Sequence, residues 1–102
     1  MAYLVRMRRE ARPEFLALPA SVREVFEEAF ARMKDHPYAS GPGYSVEQLR
    51  PPPWWTGEVW SVHVGLFRAW FVVDGQIVRF GAFGLRPGFY GKLDRLRSSR
   101  TE

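Results

Sequence analysis

The chain has 102 residues, of which 46% are hydrophobic and 16% aromatic, a net charge of +4 and no cysteine. So short a chain buries only about two-thirds of its unfolded surface, and a single domain over residues 1–102 is expected. The missing cysteines exclude thiolate catalysis and cysteine-zinc sites, and with His36 and His63 the only imidazoles a histidine-rich metal cage is excluded too.

No stretch approaches the roughly 20 apolar residues that span a bilayer, and the opening MAYLVRMRRE turns charged before any signal-peptide core develops, so a cytoplasmic protein without membrane contact is expected. Residues 1–50 carry eight Lys/Arg against seven Asp/Glu, and residues 51–102 seven against four. The basic excess lies in the second half, where it suits a polyanionic partner.

Tyr3 to Arg8 alternates as a short strand with one buried face. A helix should follow, with Pro13 tolerated in its first turn, Phe15 and Leu18 on one face, and Pro19 interrupting the pattern. Ser21 and Glu24 have the spacing of a capping box, and Val22, Val25, Phe26, Ala29, Phe30 and Met33 then mark one face of an amphipathic helix. That helix should stop near His36, because Pro37 disfavours helical geometry in the residue before it.

Residues 37–57, with SGPG and PPP, show little periodicity and read as a long connection. Trp54 and Trp55 should pack onto the body from it. Three strands follow, about Val59–Val64, Phe67–Val73 and Gln76–Phe83, joined by Gly65-Leu66 and by Asp74-Gly75, a strong hairpin signal. A short helix over Tyr90–Leu96 closes the pattern. The expected fold is α+β: a twisted antiparallel sheet of about four strands, the first strand joining the C-terminal meander, with two N-terminal helices on its apolar face.

Two-residue loops set the register by counting. His63 then faces Arg68 and Ser61 faces Trp70, while in the second hairpin Val72 faces Ile77 and Trp70 faces Arg79. Trp60, Val62, Val64, Phe67, Ala69, Phe71, Val73, Val78, Phe80 and Ala82 form the core face. Ser61, His63, Arg68, Trp70 and Arg79 fall on the other, with Arg86 and Tyr90 at its edge.

A metal-free ribonuclease needs such a set: a base for a 2′-hydroxyl, cations for a pentavalent phosphate and an acid for the leaving oxygen. Histidine titrates near neutrality, the arginine fork matches phosphate oxygens, and aromatic rings stack on splayed bases. The plainer alternatives are a solvated histidine, an Arg68 paired to a carboxylate, and cross-strand packing of Trp70 on Arg79.

The ordered motifs Phe15-Leu16-Ala17-Leu18-Pro19, Leu49-Arg50, His63-Val64-Gly65-Leu66-Phe67-Arg68 and Arg86-Pro87-Gly88-Phe89-Tyr90 resemble the RelE/ParE toxin superfamily over nearly the whole chain. The resemblance implies a toxin of a toxin-antitoxin pair that cleaves mRNA in the ribosomal A site through a 2′,3′-cyclic phosphate, needs no cofactor or metal, and is silenced by a cognate antitoxin. It implies catalytic positions at His63, Arg68, Arg86 and Tyr90, with Arg50, Ser61, Trp70 and Arg79 as RNA contacts. Ser61 and His63 stand where the lysine-rich name member has lysines. The ParE branch, which attacks DNA gyrase with the same fold, is the alternative, and a non-catalytic RNA- or protein-binding module the third.

Overall fold

The computed structural model describes residues 2–85 and 90–98, with the side chains of Tyr90 and Ser98 left out. In chain order it runs β1 (Leu4–Met7), α1 (Ala11–Leu16), α2 (Ala20–Met33), β2 (Ser45–Leu49), β3 (Val59–Val64), β4 (Phe67–Asp74), β5 (Ile77–Leu85) and a 3-10 helix over Tyr90–Ser98. The strands form one mixed sheet in the order β1-β5-β4-β3-β2.

Pro13 sits inside the first turn of α1 as expected, and Phe26, Ala29 and Met33 form the buried stripe of α2. The capping box does not form. Pro19 is the N-cap residue, with no side-chain cap bond, which places Ser21 one residue inside the helix. Arg23 binds the end of α1 instead, its Nη1 donating to the carbonyls of Leu16 at 2.8 Å and Leu18 at 3.1 Å, two acceptors that a helix C-terminus leaves without an internal partner.

The α+β reading holds, with two corrections to the sheet. β1 runs parallel to β5, Leu4 beside Ile77 and Met7 beside Phe80, because the helical connection delivers β2 running opposite to β1 and the three antiparallel steps from β2 to β5 reverse the direction again. β2 is a fifth strand within the segment read as a connection, antiparallel to β3 with Glu47 opposite Ser61. It is an edge strand, and its side chains are exposed except for half-buried Val46 and Leu49, so it carries almost no alternating signal.

The β3–β4 register is the expected one, His63 opposite Arg68 and Ser61 opposite Trp70. The β4–β5 register is not. Asp74 pairs with Ile77 and Val72 with Arg79, so Gly75 and Gln76 form the loop, two residues out from the count. Gly75 has φ 61° and Gly65 φ 58°, and among the described residues no other residue type has positive φ. Glycine therefore takes the first central position of each turn, the type II′ pattern, whereas the Asp74-Gly75 loop would have put positive φ on Asp74.

A bulge then shifts the phase of β5. Phe71 pairs with Phe80 but Trp70 with Ala82, leaving Gly81 as the extra residue. A Cβ there would lie 1.9 Å from the Trp70 ring, so only glycine fits. Past the bulge, Ala82 moves to the face opposite the helices and Phe83 joins the helix-side core. Phe83 is packed edge-on to Phe15 and Phe26 at ring separations of 5.2 and 5.3 Å, a geometry worth about 0.5–1.5 kcal/mol per pair beyond burial.

The sheet is apolar on both sides. Val59, Trp70, Val72, Ala82, Leu93 and Leu96, with Leu49 and Trp55 against them, build a second cluster under the 3-10 helix. Trp55 thus packs as expected, whereas Trp54 stays exposed, with the Arg97 guanidinium 4.1 Å from its ring centroid. Four contacts converge on Glu14 and fasten the 3-10 helix to α1. Arg95 donates through both Nη atoms at 2.8 Å, Lys92 approaches at 2.8 Å, and the Phe83 amide donates at 3.2 Å. Arg95 Nη1 also donates to the Gly81 carbonyl. This cluster satisfies the margin of β5 beyond Phe80, where β1 has already ended.

Candidate active site

Because β3 and β4 are joined by a tight turn, His63 and Arg68 are cross-strand neighbours only five residues apart in the chain. Arg68 Nη1 stands 2.8 Å from His63 Nδ1 and 2.5 Å from Nε2. Ser61, two residues earlier on the same side of β3, is wholly buried and holds its Oγ 2.9 Å from His63 Nε2. From β2, across the other edge of β3, Glu47 brings Oε1 to 3.3 Å from the same Nε2.

A guanidinium only donates and an ionised carboxylate only accepts, and Arg68 Nη1 lies against both ring nitrogens, nearer to Nε2, so the contacts fit either neutral tautomer. The ring thus has a cation and an exposed carboxylate within reach together. It is also accessible, His63 being 20% exposed and Glu47 59%. Arg68 Nε is buried with no hydrogen-bond partner among the described residues. An orphaned donor of this kind costs about 1–3 kcal/mol, and on a cation flanking an accessible histidine it is a place for an incoming acceptor.

Of the residues singled out from sequence, the structure brings together Ser61, His63 and Arg68. Three others stand apart. Trp70 is 1% exposed, its ring enclosed by the Leu93 and Leu96 cluster, so it packs the sheet and offers no face to a base. Arg79 pairs with Val72 at the far end of β4 and lies 3.8 Å from Asp74; four residues of strand, about 13 Å, separate that level from Arg68. Arg50 follows Leu49, which is opposite Val59, so it too lies at the end of the sheet away from His63. Arg86 lies outside the described residues, as does the Tyr90 side chain, although Tyr90 opens the 3-10 helix.

Glu47 is the residue that sequence reasoning missed. Its own strand is nearly silent, but β3 carried a usable signal: Val59, Val62 and Val64 are buried on both faces, a pattern of interior strands, which must have a neighbour on each side.

Two helices packed on a mixed five-stranded sheet, closed by a short C-terminal 3-10 helix, make up the RelE-type α+β fold. Three solved structures share it: the RelE-RelB complex of Pyrococcus horikoshii, at 16% identity and TM-score 0.68 over 84% of this chain and 97% of that one; the RelBE2 toxin-antitoxin complex of Mycobacterium tuberculosis, at 24% and 0.64 over 84% and 100%; and a doubly arginine-substituted Escherichia coli toxin RelE in the free state, at 16% and 0.58 over the full length of both. The resemblance to RelE/ParE proteins read from the motifs is therefore matched by the architecture. No family model and no curated protein sequence matches the chain.

Proposed function

We propose that this chain is the toxin of a toxin-antitoxin pair, a metal-independent endoribonuclease that cleaves mRNA in the ribosomal A site. The observation that supports it is the Glu47–His63–Arg68 alignment on the accessible side of a RelE-type sheet. Two of the similar structures are complexes of RelE-type toxins with their antitoxins, which supports the pairing with an antitoxin.

In this reading RNA draws the Arg68 fork onto the scissile phosphate, where its orphaned Nε–H also finds an acceptor. The move frees His63 to take the proton of the 2′-hydroxyl as the 2′-oxygen bonds to phosphorus. Glu47 steadies the resulting imidazolium, and Ser61 fixes the ring plane. The P–O5′ bond breaks, the 5′-oxygen takes a proton from solvent, the His63 imidazolium later returns its proton to solvent, and the products are a 2′,3′-cyclic phosphate and a 5′-hydroxyl. Arg86 and Tyr90 are proposed as the second phosphate contact and the aromatic that orients the RNA.

Primer extension on translating ribosomes tests the reading directly. Cuts in translated mRNA with a cyclic phosphate end are expected, and none in free RNA. Absence of cuts together with inhibited supercoiling by DNA gyrase would transfer the assignment to the ParE-like alternative; association with RNA or ribosomes without cleavage would leave a binding module.

A further inference from the structure

One row of directly paired residues crosses the sheet at the level of the candidate site: Ser45 opposite His63, His63 opposite Arg68, and Arg68 opposite Gly84. Direct partners point to the same side of a sheet. The missing side chain of Gly84 therefore leaves a notch one strand, about 5 Å, beyond Arg68 on the face that carries His63.

Nothing among the described residues requires glycine at this position. Gly84 does not have positive φ, and the bulge of β5 lies earlier, at Gly81. A Cβ built on Gly84 meets one described atom within 4 Å, Lys92 Nζ at 3.4 Å, which is an ordinary contact. A glycine inside a strand weakens it, and one that serves no bulge or bend marks a place where a ligand comes close to the backbone.

The atom at the rim of the notch sets the chemistry. An ammonium has three donors. Lys92 Nζ directs one at Glu14 Oε2, 2.8 Å away, and one at the Phe83 carbonyl at 3.3 Å; the third has no acceptor among the described residues. The first two contacts hold the half-buried ammonium in place, so an anion entering the notch meets a cation already positioned. Glu14 does not cancel that charge, because Arg95 matches it with two bonds of its own. Arg68 stands on the opposite rim.

We infer that this notch holds a backbone phosphate of RNA, the one next to the phosphate at His63 and Arg68, with the Gly84 backbone as its floor and Lys92 as its cation. The RNA then runs across the strands, along the row from Ser45 to Gly84. The inference rests on the ribonuclease reading for the nature of the ligand, and it adds Gly84 and Lys92 to the residues that touch it.

The probe is a 2′-O-methylated hexauridylate, which cannot be cleaved because its 2′-oxygen carries no proton. It is titrated into the full chain at several salt concentrations and followed by the amide resonances. The Gly84 amide is expected to move on binding. Gly84→Ala should weaken binding about tenfold while the thermal midpoint stays the same or rises, since alanine removes the entropic cost of glycine and leaves the Glu14 contacts whole. Lys92→Gln should lower the slope of log affinity on log salt by about 0.7, the loss of one phosphate contact to a single strand; a merely structural lysine leaves that slope alone. No binding by the native chain, an unmoved Gly84 amide, native affinity in Gly84→Ala, an unchanged slope in Lys92→Gln, or an equal response to hexaglutamate would each overturn the inference. Cleavage enters none of these readouts. Binding through the notch without cuts on the ribosome defeats only the ribonuclease reading, and cuts made while RNA leaves the notch untouched defeat only this inference.

Discussion

Replacing Glu14 by Gln tests the clamp that holds the 3-10 helix. In the native chain its carboxylate receives Arg95, Lys92 and the Phe83 amide, and its side chain is only 18% exposed. Removing one partner of a fully buried ion pair costs about 3–5 kcal/mol. Here Arg95 and Lys92 are 23% and 31% exposed and regain water, and Arg95 keeps the Gly81 carbonyl, so a loss of about 2–3 kcal/mol is expected. For a domain of this size that lowers the unfolding midpoint by roughly 10–20 °C. The pH dependence separates a charge effect from lost packing. Burial pushes the Glu14 carboxyl up, but the bonds from Arg95, Lys92 and the Phe83 amide outweigh it and hold it below the ordinary 4.5. A folded-state value below the unfolded one means that the contribution is complete above the unfolded value and is lost as pH falls through the folded one. In urea titrations followed by circular dichroism, native and Glu14→Gln chains should differ most at neutral pH and converge progressively as pH falls below 4.5. Equal midpoints at neutral pH, or a gap that persists undiminished in acid, would refute the clamp.

Arg68→Ala should slow cleavage on the ribosome about a hundredfold, equivalent to about 3 kcal/mol, and move the thermal midpoint by no more than a few degrees; a collapse in stability would make Arg68 structural. Glu47→Gln should lower the cleavage rate by about tenfold or more and alter its pH profile while leaving RNA binding unchanged, because its proposed work is to stabilise a protonated His63. Gly81→Ala should destabilise by about 3 kcal/mol or more in urea titration, since the new Cβ overlaps the Trp70 ring in a packed core; a midpoint within error of the native value would mean that the bulge tolerates a side chain.

The parts of the molecule legible in the sequence are those written as periodicity or tight turns: the stripe of α2, the β3–β4 hairpin, and through it the His63–Arg68 pair. What escaped depends on interactions distant in the chain. β2 shows little alternation because its outer face and edge meet solvent, and Glu47 was lost with it. The Trp70 face was misread because a meander with polar residues outward looks one-sided until Leu93 and Leu96 fold back onto it. Two glycines account for the remaining errors: Gly75, placed in the wrong half of its turn, and Gly81, whose inserted residue reverses inward and outward for the rest of β5.

The parallel pairing of β1 with β5 also has a kinetic side. Leu4 is made well before its partner Ile77, so α1 and α2 are synthesised long before the sheet they cover exists. At roughly 5–20 residues per second the opening strand waits on the order of 4–15 s for a neighbour, with Phe15, Phe26 and Phe30 short of their main packing partners. The pairing between chain ends is also the kind of non-local contact that slows folding. A nascent chain in this interval has β1 unpaired and the apolar faces of its helices uncovered, so it emerges as an aggregation-prone intermediate. The pairing of β1 is completed only when β5 has been made, and a translation pause before Ile77 would prolong the unpaired state.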